Sequence, residues 1–251
     1  NPPIRARKDE TMQIVQKLNG AVRKAVSEYQ MISPGDHVAV GVSGGKDSLA
    51  LLYGLAKLRQ YGGIPYRLTA LTLDPCFGGE ETDFSPLSRL CEALEVEHLI
   101  RRTNIGRVVF DVRQEPNPCS LCSRMRHGAL NDWCKELGCQ KIALGHHRDD
   151  AVETFIMNLF LEGRLHCFSP VSYLTRKDLT MIRPLVFLTE QDIRRAVAKL
   201  ELPVVKSRCP IDGKTSREWA KQWLAGMEAE KIPDLRQKIF GTMRRSHLSD
   251  W

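Results

Sequence analysis

With 251 residues, 42% of them hydrophobic and 27% charged, the chain has room for one substantial core with smaller additions, and its composition is that of an ordinary soluble protein. A net charge of +7 and a pI near 9.0 are compatible with a polyanionic partner without demanding one, and no apolar run approaches membrane-spanning length. Nothing at the start resembles a secretory leader, so the eight cysteines are expected as thiols of a cytoplasmic protein rather than as a disulfide framework.

Met12, Val15, Leu18, Val22 and Val26 recur at helical spacing, which predicts a helix over 11–30 ending near Met31–Pro34. From there strands alternate with helices. Strands are expected at Val38–Val42, Leu68–Leu73, His98–Arg101 and Lys141–Gly145, and helices at Ser48–Tyr61, Pro86–Leu94, Ser120–Leu137 and Asp149–Leu161. This alternation implies crossover connections, hence an α/β fold with a parallel twisted sheet and helices on both faces. Met181–Phe187 adds a possible strand, and Thr189 opens a helix over Glu190–Leu200. An extended stretch, Val204–Pro210, delivers Cys209, and helices follow at Ser216–Glu230 and Asp234–Ser246. The expected division is an N-terminal helical segment (1–34), an α/β domain (35–200) and a C-terminal segment with helices (201–251).

Three segments carry chemistry. In the first, the strand ending at Val42 runs into Ser43-Gly44-Gly45-Lys46-Asp47-Ser48 and then into a helix. Glycines let backbone N–H groups converge on an anion, and the helix N-terminus adds its positive end, so the loop reads as a phosphate cradle. Asp47 stands where a Walker A loop has Ser or Thr, and the glycine spacing misses G-x-G-x-x-G. The run resembles instead the PP-loop of the ATP-pyrophosphatase superfamily, which splits ATP between its α and β phosphates and adenylates a substrate oxygen. A plain glycine turn with a solvated Lys and Asp would not require the whole run between strand and helix.

The second segment is Cys119-Ser120-Leu121-Cys122 at the entry to a helix, where a helix N-terminus lowers thiol pKa. A redox pair lacks its thioredoxin-like context, and a zinc site lacks a second pair of ligands. Cys209 is a third candidate thiol, and three thiolates suit an iron–sulfur cluster with one exposed iron better than closed zinc, although Cys209 as a packed thiol is an equal alternative. Cys76, Cys91, Cys134, Cys139 and Cys167 are expected to pack as small hydrophobes. The third segment, Gly145-His146-His147-Arg148-Asp149-Asp150, leaves a strand for a helix. One carboxylate there caps the helix. The other, with Asp47, is placed to hold Mg²⁺, and Arg148 to neutralise phosphate. Adjacent His146 and His147 leave the strand pointing apart, which disfavours a zinc pair.

These segments, with Ile182-Arg183-Pro184-Leu185 after them, resemble in order the tRNA 2-thiocytidine biosynthesis family (TtcA-like), over most of the chain. The resemblance implies the PP-loop, adenine-nucleotide α-hydrolase-like fold and an ATP-dependent tRNA-cytidine sulfurtransferase that forms AMP and pyrophosphate. It implies ATP, Mg²⁺ and a [4Fe–4S] cluster as cofactors, and the anticodon loop of tRNA, thiolated at cytidine 32, as substrate. Carried onto this chain, the cluster ligands are Cys119, Cys122 and Cys209, although many members have a second C-x-x-C where this chain has Arg208-Cys209-Pro210. The catalytic set is Lys46, Asp47 and Asp150, and the nucleotide contacts are Val42 to Ser48, Leu73, Gly145 and Arg148, with Leu71–Asp74 facing adenosine. Mg²⁺ falls to Asp47 with Asp149 or Asp150. Arg124, Arg126, Lys206 and Arg217 are the expected RNA contacts, a cysteine desulfurase is the type of sulfur donor implied, and a homodimer is admitted. Two other readings stand beside this one: a PP-loop sulfur-transfer or desulfurising enzyme for another RNA position or a small molecule, and a non-catalytic nucleotide- and metal-binding regulator.

Overall fold

A computed structural model describes residues 4–114, 118–210 and 216–251. Helix α1 (Ile4–Glu28) begins earlier than Thr11 and buries Leu18, Val22, Ala25 and Val26 against α2 (Lys46–Tyr61) and α7 (Glu190–Lys199). Strands β1 (His37–Gly41), β2 (Arg67–Asp74), β3 (Glu97–Arg102) and β4 (Lys141–Ala143) fall where β-branched and apolar runs predict them. With β5 (Val171–Leu174) and β6 (Leu179–Ile182) they form one sheet in the order β3-β2-β1-β4-β6-β5. The order reverses direction at β1, so the loops after β1 and β4 diverge to open a crevice at the carboxyl ends of the strands.

Burial decides the layers. The centre of β1 alternates, with Val38 and Val40 facing the core beneath α1, α2, α7, α8 (Ser216–Glu230) and α9 (Leu235–Arg245). Ala39 faces the smaller core beneath α5 (Pro118–Glu136). Helix α6 (Arg148–Leu161) contributes Ala151, Val152 and Ile156 to the larger core, and α3 (Ser85–Ala93) contributes Leu87 and Cys91. Both faces are therefore covered, as a parallel sheet requires.

Three local differences from the sequence reading have physical causes. The sheet is parallel except at its edge, where β5 pairs antiparallel with β6. A four-residue, half-exposed edge strand leaves little periodicity to read. The strand expected over Met181–Phe187 stops at Ile182, because Pro184 has no N–H for a ladder and the chain turns there. Between β3 and α5 lie a short helix α4 (Ile105–Arg107) and a π-helical turn (Val108–Arg113), neither of which the sequence pattern announced.

All eight cysteines are thiols. Burial pushes the Cys91 and Cys167 thiols up to about 12, as expected of packed side chains. Cys134 and Cys139 are also buried. Cys76 departs from that expectation: it is half-buried and occupies a left-handed turn position (φ 51°). Among the described residues no helix is long and apolar enough to cross a membrane.

Candidate active site

The phosphate loop is shaped by close approaches. Gly44 takes φ +84°, and a Cβ there would lie 2.8 Å from Val205 Cβ, so only glycine lets the 203–210 segment lie against the loop. Val205 N–H donates to Gly44 O at 2.9 Å, which ties that segment in place. Across the crevice, a Cβ on Gly145 would come within 3.1 Å of the Asp47 carbonyl carbon, so the chain leaving β4 rests directly on the first turn of α2. Ser48 Oγ donates to Gly45 O at 2.8 Å and stiffens the turn.

A cavity of about 450 Å³ opens at this junction. Its wall carries Ser43, Asp47 and Ser48 from the loop, Asp150 and His146 from beyond β4, and Cys119, Cys122 and Cys209. Three thiols from two segments remote in sequence thus line one space with the phosphate loop. Val42, Leu73 and Gly145 also line it. Gly44, Gly45 and Lys46 build the loop without lining the cavity wall.

Asp47 and Asp150 are brought together by His147, the buried N-cap of α6. His147 Nδ1 accepts from the Asp150 backbone N–H at 3.3 Å, which assigns the ring proton to Nε2. That nitrogen faces Asp150 Oδ2 at 3.4 Å and Asp47 Oδ1 at 3.7 Å. Asp47 Oδ1 is buried without a hydrogen-bond partner. An orphaned carboxylate oxygen beside a phosphate loop fits a divalent cation. Among the described residues no three His, Cys, Asp or Glu side chains are gathered round one point as a ready-made ion site. An ion here would therefore be held by one or two carboxylates with ligand oxygens, the arrangement that suits Mg²⁺.

The wall's donor set also fits a [4Fe–4S] cluster: it offers three cysteines and, among the described residues, no fourth. Burial pushes the Cys122 thiol up, while Arg126 beside it favours the thiolate.

Other expected site residues lie elsewhere. Asp149 Oδ2 accepts from Glu190 N–H at 2.9 Å and its Oδ1 from Arg148 Nε at 3.2 Å, so this pair anchors the start of α7 and lines a separate polar cavity. Of the two adjacent carboxylates, Asp150 alone reaches the active cavity. Asp74 is turned into its own loop, accepting from Cys76 N–H and Thr82 N–H, and does not face the crevice. Arg217 stays partly exposed while NH1 donates to Asp150 Oδ1 at 3.2 Å. Arg126 lines the cavity, and Arg124 and Lys206 are exposed.

Glu190 is a site residue that sequence reasoning missed, as are Phe77 and Phe110 on the cavity wall. The Glu190 carboxylate meets Lys46 Nζ at 3.3 Å, Arg194 at 2.8 Å and Lys221 at 2.6 Å. Burial opposes its charge, but hydrogen bonds and charges from these cations hold its carboxyl at about 2. Lys46 is likewise opposed by burial yet lifted above its ordinary value by Asp47 and Glu190. In sequence Glu190 is only the first residue of a capped helix; nothing local connects it to Lys46.

Glu153 behaves oppositely. Burial and the neighbouring Asp150 charge push its carboxyl up to about 7, despite Arg217 at 3.4 Å. Between pH 4.5 and 7 the folded state then binds more protons at this position than the unfolded chain, so stability falls as pH rises through that window. Glu153→Gln should remove this loss, worth about 3 kcal/mol at most. Urea midpoints measured from pH 5 to 8 in metal-free buffer check it; an unchanged pH slope refutes it.

The chain matches the PP-loop domain over residues 12–224. It is 35% identical over 248 residues to a tRNA-cytidine(32) 2-sulfurtransferase of Syntrophotalea carbinolica, covering 96% of this chain and 93% of that one. It is 36% identical over 240 residues to one of Geobacter sulfurreducens, covering 94% and 93%. Among solved structures it resembles the U34-tRNA thiolase NcsA from Methanococcus maripaludis with its [4Fe–4S] cluster. That match has a TM-score of 0.76 and 26% identity, covering 94% of this chain and 79% of that chain.

Proposed function

The chain belongs to the PP-loop domain family and, within it, to the tRNA-cytidine(32) 2-sulfurtransferases, and from that membership we propose how its residues divide the reaction. The observation that carries the reading is the single cavity lined by both the phosphate loop and three cysteines. A pyrimidine C2 oxygen is a poor leaving group. ATP removes that obstacle: O2 attacks the α phosphate, pyrophosphate departs, and O2 later leaves as part of AMP when sulfur attacks C2.

Backbone N–H groups at the start of α2 hold the phosphates, with Lys46 as the cation of the same turn. Asp47 and Asp150 would hold Mg²⁺, which would offset phosphate charge when bound, and His147 keeps the two carboxylates in register. Arg217 fixes Asp150 from the far side. Cys119, Cys122 and Cys209 would hold the [4Fe–4S] cluster, which would supply the sulfur chemistry when bound. The remaining residues position. The 203–210 segment is bound to the phosphate loop through Val205, by a hydrogen bond and a close packing contact at Gly44, which supports a third cysteine ligand beside that loop.

The substrate is an anticodon loop, whose unstacked nucleotides can be splayed into a pocket without melting a duplex. Exposed Arg124 and Lys206, with Arg126 at the cavity, supply the phosphate contacts. Charge reversal of Arg124 and Lys206 should weaken tRNA binding and flatten its salt dependence by about one counterion per lost contact, leaving ATP affinity unchanged. Filter binding across a salt series measures this. Salt-independent binding, or turnover of a small molecule in place of RNA, would replace this reading with the small-molecule alternative. A sulfur donor of the cysteine desulfurase type and assembly as a homodimer complete the proposal, together with a cytoplasmic location.

A further inference from the structure

Resting on the tRNA reading above, we infer that a second cavity beside the first is the seat of the target pyrimidine, with Phe77 and Phe110 as its stacking platform. The cavity, about 550 Å³, shares both phenylalanines with the wall of the catalytic cavity and is otherwise lined by Gly106, Glu80, Arg208 and Pro210 among others. The two spaces therefore share one aromatic wall, whose rings meet edge to face at 5.8 Å and 71°.

The chemistry needs three groups to meet at one C2–O2 bond: ATP at O2, sulfur at C2, and the base that carries both atoms. ATP approaches from the phosphate loop and sulfur from the cysteine wall, so the base must enter from a third side. The second cavity borders the catalytic one at Phe77 and Phe110, and its rim residues Arg208 and Pro210 flank Cys209 in the chain. A base stacked there lies beside the aromatic wall that the two cavities share and next to the segment that carries Cys209.

The platform is built rather than incidental. Phe77 stands between left-handed Cys76 (φ 51°) and Gly78 (φ 68°), a turn pinned by Asp74, which accepts from Cys76 N–H at 3.1 Å and Thr82 N–H at 2.8 Å. Phe110 is presented by the π-helical turn, a local form found often at functional sites. A Cβ on Gly106 would sit 3.0 Å from Phe77 Cα, so the two walls are held in contact by the absence of a side chain there. Arg208 pairs with Glu80 across the rim, and both side chains remain well exposed, leaving the guanidinium able to exchange the carboxylate for an RNA phosphate.

The experiment uses an anticodon stem-loop RNA carrying pyrrolocytidine at the target position and a separate dye at its 5′ end. Dye anisotropy reports RNA binding, and pyrrolocytidine emission reports unstacking from the loop and restacking on protein; neither needs turnover. Wild-type protein should bind and change the pyrrolocytidine emission. Phe77→Ala and Phe110→Ala should lose that change and lower kcat/KM for thiolation about tenfold to hundredfold, the worth of one stacked base, while ATP affinity stays within twofold. Phe110→Tyr, which keeps the ring, should restore both readouts, and this variant carries the test if the alanine variants fold poorly. ATP affinity falling in step with thiolation would overturn the inference, since the pocket would then hold adenine. RNA binding with an emission change unaffected by either alanine would overturn it too. Absence of any anisotropy change in wild type would overturn the tRNA reading itself.

Discussion

Cys209→Ala is expected to yield protein without bound iron or acid-labile sulfide and to reduce thiolation at least about a hundredfold. Loss of an outer-shell partner alone costs a metal site ten- to a hundredfold, and this change removes a direct donor. The three thiols line one cavity from two segments, and no fourth cysteine among the described residues lines it to take over. Cys119→Ala and Cys122→Ala should behave the same way. Cys91→Ala and Cys167→Ala, deep in the larger core, should keep full cluster content and lose packing stability only. All five variants should keep ATP binding, because the phosphate loop takes its shape from Gly44, Ser48 and Gly145. Anaerobic purification followed by iron and sulfide analysis is the measurement. A full-occupancy cluster in Cys209→Ala, or a tetrahedral zinc in its place, would show the assignment to be wrong.

Lys46→Ala and Asp47→Asn should each lower AMP formation about 10²- to 10³-fold, the usual cost of removing one group that stabilises charge in the transition state. The two variants differ in how they act on the fold. Asp47 Oδ2 pairs with Lys46 Nζ at 2.9 Å while Oδ1 is buried without a partner, so Asp47→Asn loses an ion pair and a buried orphan charge together and should melt within about 4 °C of wild type in the absence of ATP and Mg²⁺. Lys46→Ala takes one of three cations from Glu190, whose carboxyl then rises from about 2 toward its ordinary value. Because a depressed carboxyl contributes stability above its unfolded pKa and loses it as pH falls toward the folded one, the variant should lose stability relative to wild type above about pH 4.5. It should approach wild type below about pH 2. Wild-type AMP production by Lys46→Ala would refute the role of the loop lysine.

Much of this architecture is legible in one dimension. The run Ser43–Ser48 declares a phosphate loop because glycine, lysine and aspartate there answer to backbone geometry and charge within a few residues. The alternation of apolar runs from Val38 to Leu161 declares a parallel sheet for the same local reason: burial on two faces leaves continuous β-branched stretches. The two shared carboxylates Asp149 and Asp150 were equivalent in sequence. The fold separates them by helical rotation, sending Asp149 to cap α7 and Asp150 into the cavity.

By itself, then, the sequence determined most of the elements, the phosphate loop, the C-x-x-C and the family, all properties carried by neighbouring residues. Tertiary structure alone decided which distant groups meet. It set Cys209 in one cavity wall with the phosphate loop, near the Val205–Gly44 hydrogen bond, and bound Lys46 to Glu190. It brought Arg217 onto Asp150, and joined Phe77 to Phe110 across two cavities. These contacts depend on strand order and on how closely glycine lets one chain segment approach another. A pattern read along the chain holds no record of either, because periodicity reports which face is buried and not what it is buried against.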